Sequence, residues 1–216
     1  LEPILRPRVE SPAQDYLDYG LHLRPAEMRP ALQARLDALP EPSTVIVGYG
    51  LCGNGVVGVG SGRHTLILPR THDCIALMLG SQERYAEELA TEPGTYYVTR
   101  GWLTSGDDPL TAYRKLVEDH GAKLAGRLID RVYGSYRKLR LLGFSEHELE
   151  ETRPAAAPVA GFCMERWGMT YDECIGDPGL VERLAAAVGP GESDDPDLLV
   201  VPPGTTITQQ MFLDET

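Results

Sequence analysis

The chain has 216 residues, enough for a single α/β domain with a substantial core. Its apolar fraction of 42% and charged fraction of 24% are those of an ordinary globular protein, and its formal net charge of -12 makes nucleic acid and anionic membranes poor partners. No apolar run approaches the roughly 20 residues of a spanning helix, and four cysteines (Cys52, Cys74, Cys163, Cys174) are too few for a disulfide scaffold. A reducing cytoplasm and free thiols are the expectation.

Leu1–Ala13, rich in proline and arginine, reads as an irregular arm ending at about residue 14, ahead of a short strand or turn over Asp15–Leu23. Pro25 suits the first turn of a helix over about Ala26–Leu39, with Met28, Leu32, Leu36 and Leu39 at helical spacing and Pro40 and Pro42 as its stop. Two short apolar runs follow, Val45–Val47 and Thr65–Leu68, read as neighbouring buried parallel strands. Asp73 is placed to cap a short helix through Leu79, and Ser81 to cap another over Gln82–Ala90. After the Pro93-Gly94 turn, Thr95–Thr99 is a third strand running into Arg100-Gly101-Trp102.

Asp108-Pro109 opens a helix to about His120. Beyond Gly121 the pattern predicts one long basic-faced helix over Lys123–Leu142, with Leu124, Leu128, Ile129 and Val132 as its apolar stripe. Ser145–Glu150 reads as a capped acidic turn. Pro154 and Pro158 bracket an alanine-rich segment before a helix near Val159–Trp167. Met169–Ile175 is a strand, Gly179–Val188 a helix, Glu192–Asp197 a solvated acidic loop and Leu198–Val201 a last strand. The alternation predicts one α/β domain, a Rossmann-like three-layer sandwich with a mainly parallel sheet and helices on both faces.

In such a sheet ligands bind beyond the carboxyl ends of the strands. The first run ends in Gly48-Tyr49-Gly50-Leu51-Cys52-Gly53-Asn54-Gly55, the second in Pro69-Arg70-Thr71-His72-Asp73-Cys74. The glycines permit positive φ and close backbone approach, so Gly53, Asn54 and Gly55 are candidates to hold a small anion, although neither a phosphate loop nor a clean dinucleotide fingerprint is present. A tight strand-to-helix turn explains them equally. Cys52 in that turn reads either as a nucleophile or metal ligand whose thiol pKa is lowered by nearby amides, or as a buried inert cysteine. If the runs are neighbours, strand spacing of about 4.8 Å brings Cys52 towards Cys74, while an extended backbone turns His72 and Cys74 to one side and Asp73 away.

Cys52, His72 and Cys74 would suit zinc with an open fourth position, whereas an iron–sulfur cluster would want a further ligand. Asp73 is a candidate acid/base, an orienting partner for His72, or simply a cap. A disulfide between Cys52 and Cys74, and a metal-free Cys–His nucleophile pair, are further readings. Arg70 could grip an anion or pair with a structural acid. Tyr96, Tyr97, Arg100 and Trp102 at the third strand's end could wall a pocket, with Tyr97 and Arg100 touching substrate, or belong to the core. Cys163 reads as packing, and Cys174 could reach the site.

The strings YGLCGNG (Tyr49–Gly55), PRTHDC (Pro69–Cys74) and PGTYYVTRGW (Pro93–Trp102), with a weaker likeness in Leu21-His22…Pro25 and in DLLVVPPG (Asp197–Gly204), resemble a widespread prokaryotic family of domains of unknown function. The family is often found beside corrinoid-dependent methyltransferase components. The resemblance implies an α/β fold and a cysteine-bearing, metal-binding site at Cys52, Asn54, Arg70, His72, Asp73 and Cys74. It also implies a preceding strand ending in a Cys-Gly turn, able to supply a third thiolate. The expected function is a metal- or thiolate-dependent enzyme or accessory protein of one-carbon metabolism, with a corrinoid protein as partner and zinc or an iron–sulfur cluster as cofactor. The competing expectations are a non-catalytic module for a small anion or partner protein, and a metal-free Cys–His hydrolase or transferase.

Overall fold

The computed structural model describes residues 15–17, 21, 24–187 and 194–213. The expectations for the arm, for most of Asp15–Leu23 and for the start of the acidic loop lie outside these residues. The chain is a mixed α/β protein that divides into two compact units, Leu1–Tyr85 with Asp177–Thr216, and Ala86–Gly176.

The first unit holds a three-stranded sheet in the order β1 (Thr44–Ile46), β2 (Thr65–Pro69), β6 (Leu198–Val201). β1 and β2 are parallel, Val45 opposite Leu66; β6 runs antiparallel to β2, Val200 opposite Ile67, so this sheet is mixed. β2 is buried on both faces, which is why its sequence is a continuous apolar run rather than an alternation. Leu66 and Leu68 pack with Met28, Leu32 and Leu36 of α1 (Pro25–Asp37), and with Leu199, Val201 and Phe212. Ile67, on the opposite side, packs with Leu77 of α2 (Cys74–Leu79), with Leu180, Val181 and Leu184 of α8 (Gly179–Ala186), and with Leu198. In the acidic segment Asp195 and Asp197 are not merely solvated: Arg183 pairs with both.

α3 (Gln82–Thr91) leads into the second unit, a fully parallel sheet in the order β3 (Thr95–Thr99), β4 (Lys138–Gly143), β5 (Thr170–Ile175). α4 (Arg100–Ser105) and α5 (Pro109–His120) follow β3. Arg100-Gly101-Trp102 therefore does not extend the strand: the Thr99 hydroxyl accepts from Trp102 N–H and starts α4 instead.

Two expectations are corrected here. The long helix over Lys123–Leu142 is instead α6 (Ala122–Tyr133), a break at Gly134, and the central strand β4. Lys138-Leu139-Arg140-Leu141 alternates at the period of a strand, and Leu139 and Leu141 are fully buried. The second correction is α7 (Glu146–Trp167), one 22-residue helix that runs through Pro154 and Pro158. Each proline removes a backbone donor and costs about 3 kcal/mol in an isolated helix. Here Leu149, Thr152, Ala156, Val159 and Cys163, spaced three and four apart, bury a continuous stripe that outweighs this cost. Ser145 caps its start by accepting from Glu148 N–H, and the Glu148 carboxylate accepts from Phe144 N–H.

Candidate functional site

The glycine turn is set by how closely two segments meet beyond the ends of β1 and β2. Val47 N–H donates to Ile67 C=O at 2.9 Å, and the pairing resumes further on, with Leu51 N–H donating to Thr71 C=O at 2.8 Å and Cys52 N–H to His72 C=O at 3.0 Å. Gly50 makes this possible: a Cβ there would lie 2.4 Å from Thr71 Oγ1 and 2.5 Å from the Thr71 carbonyl oxygen. The Thr71 hydroxyl is buried and has no hydrogen-bond partner among the described residues. Beneath the turn Met28 of α1 fills the space that a side chain on Gly55 would need, its sulfur 2.8 Å from that Cβ position.

Cys52, Gly53 and Asn54 then take three successive positive φ values, 46°, 62° and 69°. Two of the three are not glycine, and left-handed backbone at such residues costs of order 1 kcal/mol each. The surrounding hydrogen bonds and the Met28 contact hold the strained turn in place. It places Cys52 within electrostatic reach of Cys74, the first residue of α2, and each thiol within electrostatic reach of Asp73. All four cysteines are free thiols.

The electrostatics favour the inert reading of Cys52 over the activated one. Burial first, then the Asp73 carboxylate, pushes its thiol up to about 11, against a smaller lowering by a backbone hydrogen bond at Gly50. Burial, then Cys52, then Asp73 push Cys74 up to about 12. Neither thiol is an activated nucleophile at neutral pH. Tyr49 is raised in the same sense by burial, by Cys52 and by Asp15.

The extended alternation through residues 72 to 74 does not hold either, because α2 starts at Cys74. Asp73 is extended, and its Oδ1 accepts from Ile75 N–H at 2.9 Å and Ala76 N–H at 3.1 Å. His72 is exposed. Its backbone N–H donates to Gln82 Oε1 at 2.8 Å, and its Nδ1 lies 3.3 Å from Gln82 Nε2. Among the described residues no group of three or more His, Cys, Asp or Glu side chains is gathered as a metal ion requires. Cys52, His72 and Cys74 are accordingly not gathered as a three-ligand set among those residues. Arg70 spends its guanidinium on backbone carbonyls, Nε to Pro196 and NH1 to Met211.

Tyr97 and Arg100 belong to the second unit. The Tyr97 hydroxyl bonds the Glu88 carboxylate, and Arg100 pairs with Glu151 at 3.0 Å. Tyr96 and Trp102 join an aromatic cluster with Tyr133 and Tyr136, so they serve the core. Cys163 is buried packing in α7, and Cys174 lies in β5 of the second unit.

The second unit also holds a polar cluster that sequence reasoning missed. Tyr97, Arg140 and Asp172 are in register across β3, β4 and β5. Arg140 grips Asp172 with two nitrogens, at 2.8 and 2.7 Å, and reaches Glu88 and Glu92 of the α3 segment. Lys138 joins Glu92 and Asp172. A shallow cleft of about 330 Å³ opens beside it, lined by Glu87, Glu88, Thr91, Glu92 and Arg140. The alternation of Lys138 and Arg140 with buried leucines was the signal: two cations on one face of a strand need carboxylates opposite.

A family model described as a protein of unknown function, DUF1638, matches residues 16–184. The chain belongs to that family. Both cysteine-bearing turns and the polar cluster lie within the matched residues. No curated protein and no solved structure matches the chain. Among the described residues no helix is long and apolar enough to cross a membrane.

Proposed function

We propose that the chain is a thiol-dependent enzyme or accessory protein whose working groups are Cys52 and Cys74, acting in the one-carbon, corrinoid-linked setting that the family resemblance implies. The observation that carries this reading is the convergence of two sequence-distant turns, held by the Leu51–Thr71 and Cys52–His72 backbone hydrogen bonds, on a pair of free thiols. Strained backbone at Cys52 and Asn54, beside the unpartnered buried Thr71 hydroxyl, supports it, since such costs persist chiefly at functional positions.

Two protonated thiols side by side form a receptor for a thiophilic group. Each keeps its proton until an electrophile or soft cation takes the sulfur lone pair, so capture at two points releases two protons and is favoured over capture at one. Gly53, Asn54 and Gly55 would border the bound group. An anionic substrate would have to be held by that turn and by Arg70, whose guanidinium already serves the Pro196 and Met211 carbonyls. No step is assigned to zinc or an iron–sulfur cluster, which would need donors beyond those gathered here. The raised thiol pKa values favour a second reading, a binding module, over a Cys–His nucleophile, because neither thiol is poised to attack.

A trivalent arsenical such as phenylarsine oxide, which needs two neighbouring thiols, tests the proposal. One equivalent should bind per chain and be lost in both Cys52→Ser and Cys74→Ser, while Cys163→Ser and Cys174→Ser retain it. Binding that survives either of the first two substitutions contradicts the proposal.

A further inference from the structure

The outer face of α6 is built for contact, and none of the described residues covers its aliphatic ridge. Of the apolar stripe expected to face the core, only Ile129 does so, together with Ala125. Leu124, Leu128 and Val132 are 45%, 36% and 58% exposed. They recur every four residues and so form one ridge along the helix. Immediately beside it runs a second ridge of the same spacing, Lys123, Arg127 and Arg131, all exposed.

None of these three cations has an ion-pair partner among the described residues, unlike Arg166 and Arg140 of the same unit, though Arg114, Lys115 and Arg137 also lack one. The chain has 32 acidic against 20 basic residues, so acids to neutralise such a row are plentiful. Leaving three cations unpaired next to an unburied aliphatic ridge is the pattern of a surface whose acids arrive from outside.

We propose that the outer face of α6 docks an acidic amphipathic helix of a partner protein. Two parallel ridges at i, i+4 spacing present the groove into which another helix packs, aliphatic against aliphatic, with the partner's carboxylates along the basic row. A second copy of this chain fits poorly. A two-fold contact sets the same patch against itself and would bring basic row to basic row. A bilayer fits poorly too: the ridge has three aliphatic side chains and no exposed tryptophan or phenylalanine. This surface is independent of the thiol pair, and arsenical capture by Cys52 and Cys74 provides a separate readout of that site.

The test uses the full chain and a synthetic fluorescein-labelled helical peptide of heptads, with leucine at a and d and glutamate at e and g. Fluorescence anisotropy should show saturable binding that weakens as salt rises. It should fall about tenfold or more in Arg127→Glu/Arg131→Glu and in Leu128→Ser, with circular dichroism and thermal melting unchanged. The same heptads with lysine at e and g should not bind. Any of the following overturns the proposal: no binding of the acidic peptide, equal binding of the lysine peptide, or binding indifferent to both variants. So does a dimer in sedimentation that Leu128→Ser dissociates, or capture by phosphatidylserine vesicles in preference to the peptide.

Discussion

Gly50→Ala is the sharpest perturbation of the turn. The new methyl carbon would sit 2.4 Å from Thr71 Oγ1 and 2.5 Å from the Thr71 carbonyl oxygen. The hydroxyl can rotate away, but the carbonyl is backbone and already accepts from Leu51 N–H at 2.8 Å. Relief requires the two segments to part. Overpacking of this kind costs about 1–3 kcal/mol, and loss of the Leu51–Thr71 and Cys52–His72 hydrogen bonds about 1 kcal/mol each, giving about 3–5 kcal/mol in all. Gly62→Ala is the control: its φ is +56° and nothing lies within 4 Å of the added carbon, so it carries only the left-handed backbone cost of about 1 kcal/mol. Urea denaturation of both variants measures the difference, and arsenical titration at low denaturant reports whether Cys52 still meets Cys74. If Gly50→Ala costs no more than Gly62→Ala and still binds the arsenical, the close approach does not hold the site together.

Gly161→Ala, in the middle of α7 with open space around the added carbon, should stabilise the chain by up to about 1 kcal/mol in denaturant titrations. Arg140→Ala should destabilise by about 1.5–3 kcal/mol, because it removes the two-nitrogen grip on Asp172 and the contacts to Glu88 and Glu92, while Lys138 still pairs with Asp172 and Glu92 and Tyr97 still bonds Glu88. Burial works to raise Asp172, but hydrogen bonds from Arg140 and Lys138 outweigh it and hold its carboxyl below the usual range. The stability it contributes is therefore complete above the ordinary carboxylate pKa and is lost as pH falls through the lowered folded value, so Asp172→Asn should flatten the acid limb of the stability profile. Iodoacetamide should alkylate Cys52 and Cys74 at pH 7 more slowly than a cysteine in an unstructured peptide. The Cys52 rate should climb towards pH 11, where its thiol ionises. Rapid labelling at pH 7 would refute the inert resting state.

Where a strand is buried on both faces and bounded on one side by glycine or proline, it was legible. Thr65–Pro69, Thr95–Thr99 and Leu198–Val201 lie where the apolar runs put them. β4 was hidden because Lys138 and Arg140 look like a helix's solvent face until Glu88, Glu92 and Asp172 are seen opposite them, and those acids come from distant parts of the chain. α7 was cut short on paper by Pro154 and Pro158, though the burial stripe from Leu149 to Cys163 was already present in the spacing. That the two strand ends bring Cys52 and Cys74 within electrostatic reach of each other followed from β1 and β2 being neighbours. The direction of their pKa shifts did not, since it depends on how deeply packing buries the sulfurs and on Asp73 turning its carboxylate towards α2's first amides. His72 was misjudged for a related reason: the start of α2 at Cys74 ends the two-residue alternation that would have aimed both side chains together.

Whether Cys52 and Cys74 are neighbours in the folded chain is tested most directly by disulfide mapping. The native protein is treated with diamide, its remaining thiols are blocked, and the non-reduced digest is read by mass spectrometry. The account predicts one dominant cross-link, joining the Cys52 peptide to the Cys74 peptide and absent in Gly50→Ala. Cross-links that instead involve Cys163 or Cys174, or two fully reduced thiols after prolonged oxidation, would contradict it.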